Sequence, residues 1–281
     1  MIKKINEVFL FGSIFIAICA VAMCIETNLL LHLPLNNLPF YLFVFGATLV
    51  QYNLHYFFKT TAVINSKRLA WSLKNKSIHK FLIVFGLILI TYSLFSFQLR
   101  HFIILLILGA LAFLYSFPLL PFSNKKRIKD FGLLKIITLA LLWTLVTVWF
   151  PVDQINVSGL SFQLIFIRRF IFIFILCLLF DIRDTEVDRK QNIATLAVKL
   201  GIKKSYLLCY LLLLIFIALS VIQFLYIPDW IQLSAMLLSA AATGFTIEQS
   251  KKNDSDVVYL ACIDGMMFLQ AALVIFASLI W

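Results

Sequence analysis

The segment "FDIRDTEVDRKQN", residues 180–192, follows the almost wholly apolar run "RFIFIFILCLL" and brings four acids and three bases together. The acids are Asp181, Asp184, Glu186 and Asp188; the bases are Arg183, Arg189 and Lys190. On a helix each residue advances about 100°. Asp184 comes three residues after Asp181, and Asp188 four after that, so all three project from one narrow face. Asn192 rejoins that face a turn later, while Glu186 and Arg183 point elsewhere. Three carboxylates on one face repel one another unless a cation sits among them. Hard oxygen ligands suit Mg²⁺, which favours carboxylates, substrate phosphates and its own waters. Asp181 starts inside the apolar run, and an acid there marks a functional site by default. The competing reading is a solvated membrane edge with acids and bases paired at i,i+3 and i,i+4. The D-x-x-D-x-x-x-D spacing and the long polar continuation favour a site with Asp181, Asp184 and Asp188 as metal ligands.

The elements that must carry this face are set by composition. Of 281 residues, 63% are hydrophobic and 13% charged, against roughly 25% charged in a soluble domain. The bilayer is the natural solvent for such a chain, and an all-α polytopic membrane bundle is the expected fold. Apolar runs predict nine spans near 8–31, 40–58, 80–98, 101–118, 133–150, 164–182, 204–226, 230–247 and 257–280. The whole chain, 1–281, reads as a single transmembrane domain. The N-terminus mimics a signal peptide, but its apolar run continues towards Leu33 and is read as a retained first span. The net charge of +11 falls in alternate loops: the N-terminus, 59–80, 119–135, 183–204 and 248–256. In the other loops only Arg100 is basic. That pattern is a membrane topology signal and implies no nucleic-acid partner. It places the N-terminus in the cytoplasm and the C-terminus outside, in an inner or cell membrane of bacterial type. The five cysteines (Cys19, Cys24, Cys177, Cys209, Cys262) lie in apolar stretches and read as small buried hydrophobes.

The stretch "DIRDTEVDRKQNIATLAVKLG" resembles the second aspartate-rich motif of the UbiA superfamily of intramembrane prenyltransferases. Thr195 and "VKLG" (198–201) fit the pattern, and Asn192 stands where Gly is commoner. "LYSFP" (114–118) and Trp143 also match. The resemblance implies a helical bundle around a central cavity open to the cytoplasm and to lipid. It implies Mg²⁺ bound by aspartate motifs, a polyprenyl pyrophosphate donor and an aromatic or other lipophilic acceptor. The metal would neutralise the leaving group as the C–O bond breaks. Arg127 and Lys135, with Lys129 between them, are the nearest matches to the family's phosphate-clamping bases.

The chain departs from the family at the first motif, which reads roughly N-D-x-x-D-x-x-x-D after span two. Here stands "QYNLHYFFK" (51–59), with no carboxylate. Gln51, His55 and Lys59 share a helix face at i, i+4 and i+8, so Lys59, with His55 and Gln51, is expected to meet pyrophosphate in place of one metal ion. The leading expectation is an atypical prenyltransferase. The alternative is a non-catalytic homologue that binds an isoprenoid lipid or a membrane protein partner. A small transporter fits worst, because the charges cluster at one membrane face. Asp264, inside span nine, is expected either at the site or paired with Arg168 or Arg169.

Overall fold

The structure, a computed structural model, describes residues 2–59, 66–116, 132–152, 157, 159–190 and 192–280. Among them the regular structure is all helical. In chain order the helices are α1 (Ile2–Phe11), α2 (Ile14–Leu30), α3 (Leu38–Phe57), α4 (Lys67–Lys74), α5 (Lys76–Leu94) and α6 (Leu99–Ser116). Then follow α7 (Gly132–Thr144), α8 (Gly159–Lys190), α9 (Leu196–Leu200), α10 (Ile202–Tyr226), α11 (Trp230–Ser250), α12 (Asp256–Val258) and α13 (Gly265–Ile280). Two π-helical turns, Leu145–Trp149 and Tyr259–Ile263, continue α7 and join α12 to α13. Short polar side chains start several helices by satisfying orphan N–H groups. Asn37 accepts from Phe40 N at 3.1 Å, Ser66 from Leu69 N at 3.1 Å, and Asp229 from Ile231 N and Gln232 N at 2.9 Å.

The expectation of nine spans is corrected. Among the described residues, five helices are long and apolar enough to cross a membrane, or six if the pair α1 and α2, bent by 56°, counts as one. Apolar runs alone do not distinguish a lipid-facing span from a helix buried in the bundle. The break at Gly12–Ser13 leaves α2 with 17 residues. In α3 the run gives way to Gln51, Asn53 and His55. α8 is the interior helix: it buries one residue after another from Ser161 to Asp188, with Arg168 and Arg169 among them.

Helices pack closely where glycine removes the side chain. α3 crosses α5 at Gly46 and Gly86. A Cβ on Gly86 would lie 2.7 Å from Val50 Cγ2 and 2.9 Å from Gly46 O. Small residues let helix backbones approach in this way. Gly86→Val should therefore lower stability by roughly 1–3 kcal/mol through overpacking. Thermal unfolding in detergent measures this, and an unshifted transition would contradict the close crossing.

The middle of the bundle holds a sealed ion pair. Arg169 Nη2 meets Glu26 Oε2 at 2.8 Å, and their side chains are 2% and 0% exposed. Arg169 also donates to Met23 O at 3.3 Å and Thr27 Oγ1 at 3.4 Å. Arg168 donates to Gln223 Oε1 at 2.6 Å. The expected pairing of Asp264 with either arginine does not occur, because both are committed to α2 and α10.

Candidate active site

Charged residues from α3, α4, α7, α8 and α12 converge at one end of the bundle. Lys135, one turn into α7, points its Nζ at α8, 2.7 Å from Asp181 Oδ1 and 4.0 Å from Asp188 Oδ2. Gly132 sets that approach: a Cβ there would collide with Ala194 O, so α7 starts directly against the backbone that follows α8. Asp184, on the same face, turns outwards to Arg183 at 2.8 Å and is 41% exposed. Arg183 reaches on to Asp256 Oδ1 at 3.3 Å. Asp256 Oδ2 in turn accepts from Ser66 Oγ at 3.1 Å and Arg68 N at 2.9 Å. This network ties the start of α4 and the start of α12 to the charged end of α8.

The expected shared face of Asp181, Asp184 and Asp188 is present, but its contacts are divided. Two carboxylates turn to Lys135 and the third to Arg183. Asp181 Oδ2 and Asp188 Oδ2 are buried without a hydrogen-bond partner. Orphaned carboxylate oxygens about two helical turns apart, both turned towards Lys135, are groups that a divalent cation would satisfy. Among the described residues no three His, Cys, Asp or Glu are grouped to hold a metal by themselves. Mg²⁺ is usually held by one or two carboxylates completed by substrate phosphates and water. The Asp181–Asp188 pair fits that mode. Burial pushes the Asp188 carboxyl up to about 6, with Lys135 opposing the shift and Asp181 and Asp184 adding to it.

Lys59 enters the same end from α3. Its ammonium sits 5.2 Å from the centre of the Tyr56 ring, and the Arg68 guanidinium lies 4.2 Å from that centre. Burial depresses the Lys59 pKa, Arg68 and Lys135 depress it further, and Asp184 opposes them. Lys59 is therefore within range of the α8 acids. It lies past the end of α3 at Phe57, so the expected i, i+4, i+8 helix face ends before it. Gln51 and His55 are on an exposed side of α3, and the His55 ring lies 5.2 Å from that of Tyr56. Lys76 holds the end of α3 by donating to the carbonyls of Tyr56 (3.1 Å), Phe57 and Lys59 (2.7 Å).

Asn192 does not rejoin the acidic face, because α8 stops at Lys190. Asn192 has φ 56, and two bonds close the helix end: Asn192 N to Arg189 O at 3.2 Å and Ile193 N to Asp188 O at 2.9 Å. This is a left-handed helix stop, which Gly or Asn adopts at least cost. Thr195 caps α9 by accepting from Val198 N at 3.4 Å. Arg127 and Lys129, and part of "LYSFP", lie outside the described residues. Trp143 is buried, and its ring meets that of Tyr52 at 6.5 Å.

Sequence reasoning missed Arg68, Arg183 and Asp256 as organisers of this end. Arg183 was visible but assigned away from the face, and Asp256 stands at a span boundary where an acid draws little notice. A cavity of about 300 Å³, lined by Asn36, Phe40, Phe97, Arg100 and His101 among others, lies away from this cluster.

The family model described as the UbiA prenyltransferase family matches residues 66–272. No curated protein matches the chain. Among solved structures, the chain is similar to a UbiA homolog from Archaeoglobus fulgidus bound to GPP and Mg²⁺. There the identity is 14% and the TM-score 0.63, over 96% of this chain and 98% of that one. The same homolog bound to DMAPP and Mg²⁺ gives 13% identity and a TM-score of 0.65, over 98% and 99% of the two chains. A digeranylgeranylglyceryl phosphate synthase gives 15% identity and a TM-score of 0.57, over 100% and 98%. At these identities the likeness establishes the fold.

Proposed function

The chain belongs to the UbiA prenyltransferase family, and from that premise we propose that it transfers a polyprenyl group from a polyprenyl pyrophosphate to a lipophilic acceptor. The observation that carries this reading is the pair of orphaned, buried carboxylate oxygens on Asp181 and Asp188 beside Lys135. Asp181 and Asp188 would hold Mg²⁺, with Asp184 at its outer edge. When bound, the ion supplies charge neutralisation for the leaving pyrophosphate.

The protein's own cations do the rest of the phosphate recognition. Lys135 is already poised between the two acids, and a pyrophosphate arriving there gives its ammonium a second anionic partner. Lys59 stands at the end of the segment where the family's first motif carries acids, and Arg68 lies against the same Tyr56 ring. Ammonium and guanidinium groups pair with phosphate oxygens directly. Positive charge fixed before the substrate arrives costs no reorganisation as negative charge develops on the leaving group. On this reading one half of the pyrophosphate is met through carboxylates and a metal, and the other by Lys59 and Arg68. Arg127 is retained as a further phosphate contact on the strength of the resemblance, with Gln51, His55 and Asn192 as outlying candidates. The same reading orients the charged end towards the cytoplasm.

The test is incubation of the purified protein in detergent with labelled geranylgeranyl pyrophosphate, Mg²⁺ and a panel of phenolic, quinol-type and glycerol-type acceptors. Pyrophosphate release with formation of a prenylated product is expected. Binding of the donor without either product would favour the second reading, a non-catalytic homologue that holds an isoprenoid. The absence of acids from 51–59 is what favours that second reading.

The position of Asp188 predicts a pH effect. Its carboxyl is raised to about 6, so it takes up a proton as pH falls through that value and loses its attraction for a cation. Mg²⁺ affinity should fall between pH 7.5 and 5.5, and Asp188→Asn should bind the ion weakly at both values. Calorimetric Mg²⁺ titration with the donor analogue present checks this; equal wild-type affinity at both pH values would contradict it.

A further inference from the structure

The cavity of about 300 Å³ lies beside the starts of α3 and α6, at the end of the bundle opposite the charged cluster. α3 fixes the separation. It begins at Leu38, between the lining residues Asn37 and Phe40, and runs 20 residues to Phe57, two short of Lys59. At 1.5 Å per residue its length is about 30 Å, the thickness of a bilayer's hydrocarbon core. The charged cluster and the cavity therefore lie at opposite membrane interfaces, and the cavity stands at the level of lipid headgroups. Its volume falls at the lower end of small-ligand sites.

The lining joins polar groups to a fixed aromatic wall. The rings of Phe40 and Phe97 both pack on buried Phe150, with centroids 4.7 and 6.0 Å away, and Phe97 also meets Phe43 at 5.1 Å. His101 stacks on Phe97 at 4.9 Å. Its Nδ1 accepts from Gln98 N at 3.1 Å, so its ring hydrogen is on Nε2, a donor. Asn37 uses its amide oxygen to cap α3, accepting from Phe40 N at 3.1 Å, and keeps its NH₂ as a donor group. Arg100 supplies a fixed positive charge, and among the described lining residues there is no carboxylate. The mouth, by contrast, is apolar. Leu35 of the lining is 56% exposed. Phe95 and Leu99, adjacent in sequence to the lining residues Ser96 and Gln98, are 89% and 77% exposed. A polar cavity that opens among lipid-facing side chains suits an amphiphile better than a soluble anion.

We propose that this cavity binds the phosphoglycerol headgroup of an anionic phospholipid, with the acyl chains lying over Leu35, Phe95 and Leu99. Arg100 pairs with the phosphate, since a guanidinium matches two phosphate oxygens at once. The amides of Asn37 and Gln98 and the ring N–H of His101 are hydrogen-bonding groups of the kind that glycerol hydroxyls accept from and donate to. A choline or ethanolamine headgroup would bring in an ammonium with no acid to meet it. Basic pockets between membrane helices recognise lipid headgroups by this chemistry. The inference is independent of the prenyl-transfer reading, because the cavity shares no residue with the charged end.

The test uses the full chain, delipidated in detergent and titrated with phosphatidylglycerol or with phosphatidylcholine of the same acyl chains. Native mass spectrometry reads the bound lipid. Wild type should bind phosphatidylglycerol about fivefold more tightly, the effect of one basic side chain near an anionic surface. Arg100→Gln should bind the two lipids equally. Ser96→Trp, at an exposed position, keeps the cation and blocks the mouth; it should lose the preference while melting with wild type in lipid-free detergent. Lys203→Gln, which removes an exposed lysine at the start of α10, should keep the preference, and its loss there would show attraction to surface charge instead. Excess inorganic phosphate should not displace the lipid; displacement would make the cavity a soluble-anion site and overturn the proposal. Equal wild-type affinity for the two lipids, or a preference that survives in Arg100→Gln or in Ser96→Trp, would overturn it as well.

Discussion

Asp181→Asn should lower pyrophosphate release from a polyprenyl pyrophosphate by about 10²- to 10³-fold, the usual effect of removing one electrostatic stabiliser of a leaving group. The substitution deletes the negative charge at the centre of the cluster. Asp181 is 3% exposed, lies 2.7 Å from Lys135 and presents a second oxygen with no partner. Asn offers a neutral oxygen of the same size, so packing is kept and cation binding is lost. Lys135 is 26% exposed and stays hydrated, which protects the fold. Asp184→Asn should do less, about tenfold, as for residues that support a metal site from outside. Its carboxylate already serves Arg183 and faces water. Release rates at saturating Mg²⁺ decide the order. Equal rates for wild type and Asp181→Asn would contradict the assignment, and a larger fall in Asp184→Asn would reverse the geometry.

The largest effect on stability is expected from Arg169→Met. It leaves Glu26, 0% exposed, as an uncompensated acid in the middle of the bundle, at a cost of about 3–5 kcal/mol. The double variant Glu26→Met with Arg169→Met should recover most of that loss, because a buried pair replaced by well-packed apolar residues is often neutral or stabilising. Arg169 also holds Met23 O and Thr27 Oγ1, so recovery should be incomplete. Thermal unfolding of the two singles and the double in one detergent gives the coupling. If Arg169→Met melts with wild type, the pair is not the anchor between α2 and α8 that its geometry describes.

Different parts of this account were legible in the sequence to different degrees, for physical reasons. The acidic face was readable because helical spacing fixes direction: Asp181, Asp184 and Asp188 must share a face wherever the helix goes. Which cation answers each acid was not readable. Lys135 is 46 residues from Asp181, and only the packing of α7 on the backbone after α8 brings them together. Asn192 stood out where Gly is commoner, and the left-handed helix stop supplies the reason. The face from Gln51 to Lys59 was extrapolated past the last helical residue, Phe57, because nothing local signals that stop. The span count went astray where apolar runs had two explanations. α8 reads as a membrane span by composition, yet it is the core against which α7 and α10 pack, and its arginines answer Glu26 and Gln223. Asp264 was expected either at the site or paired with Arg168 or Arg169. That Arg168 and Arg169 are both committed elsewhere appears only in the folded chain.

A metal–pyrophosphate is the proposed occupant of the charged end of α8. The most direct test is binding of geranylgeranyl thiolopyrophosphate to the purified protein, titrated with and without Mg²⁺, for wild type, Asp181→Asn and Lys59→Ala. Wild-type binding should depend on Mg²⁺, Asp181→Asn should lose that dependence, and Lys59→Ala should bind more weakly but still with Mg²⁺. Binding that ignores Mg²⁺, or that is unchanged in Asp181→Asn, would contradict it.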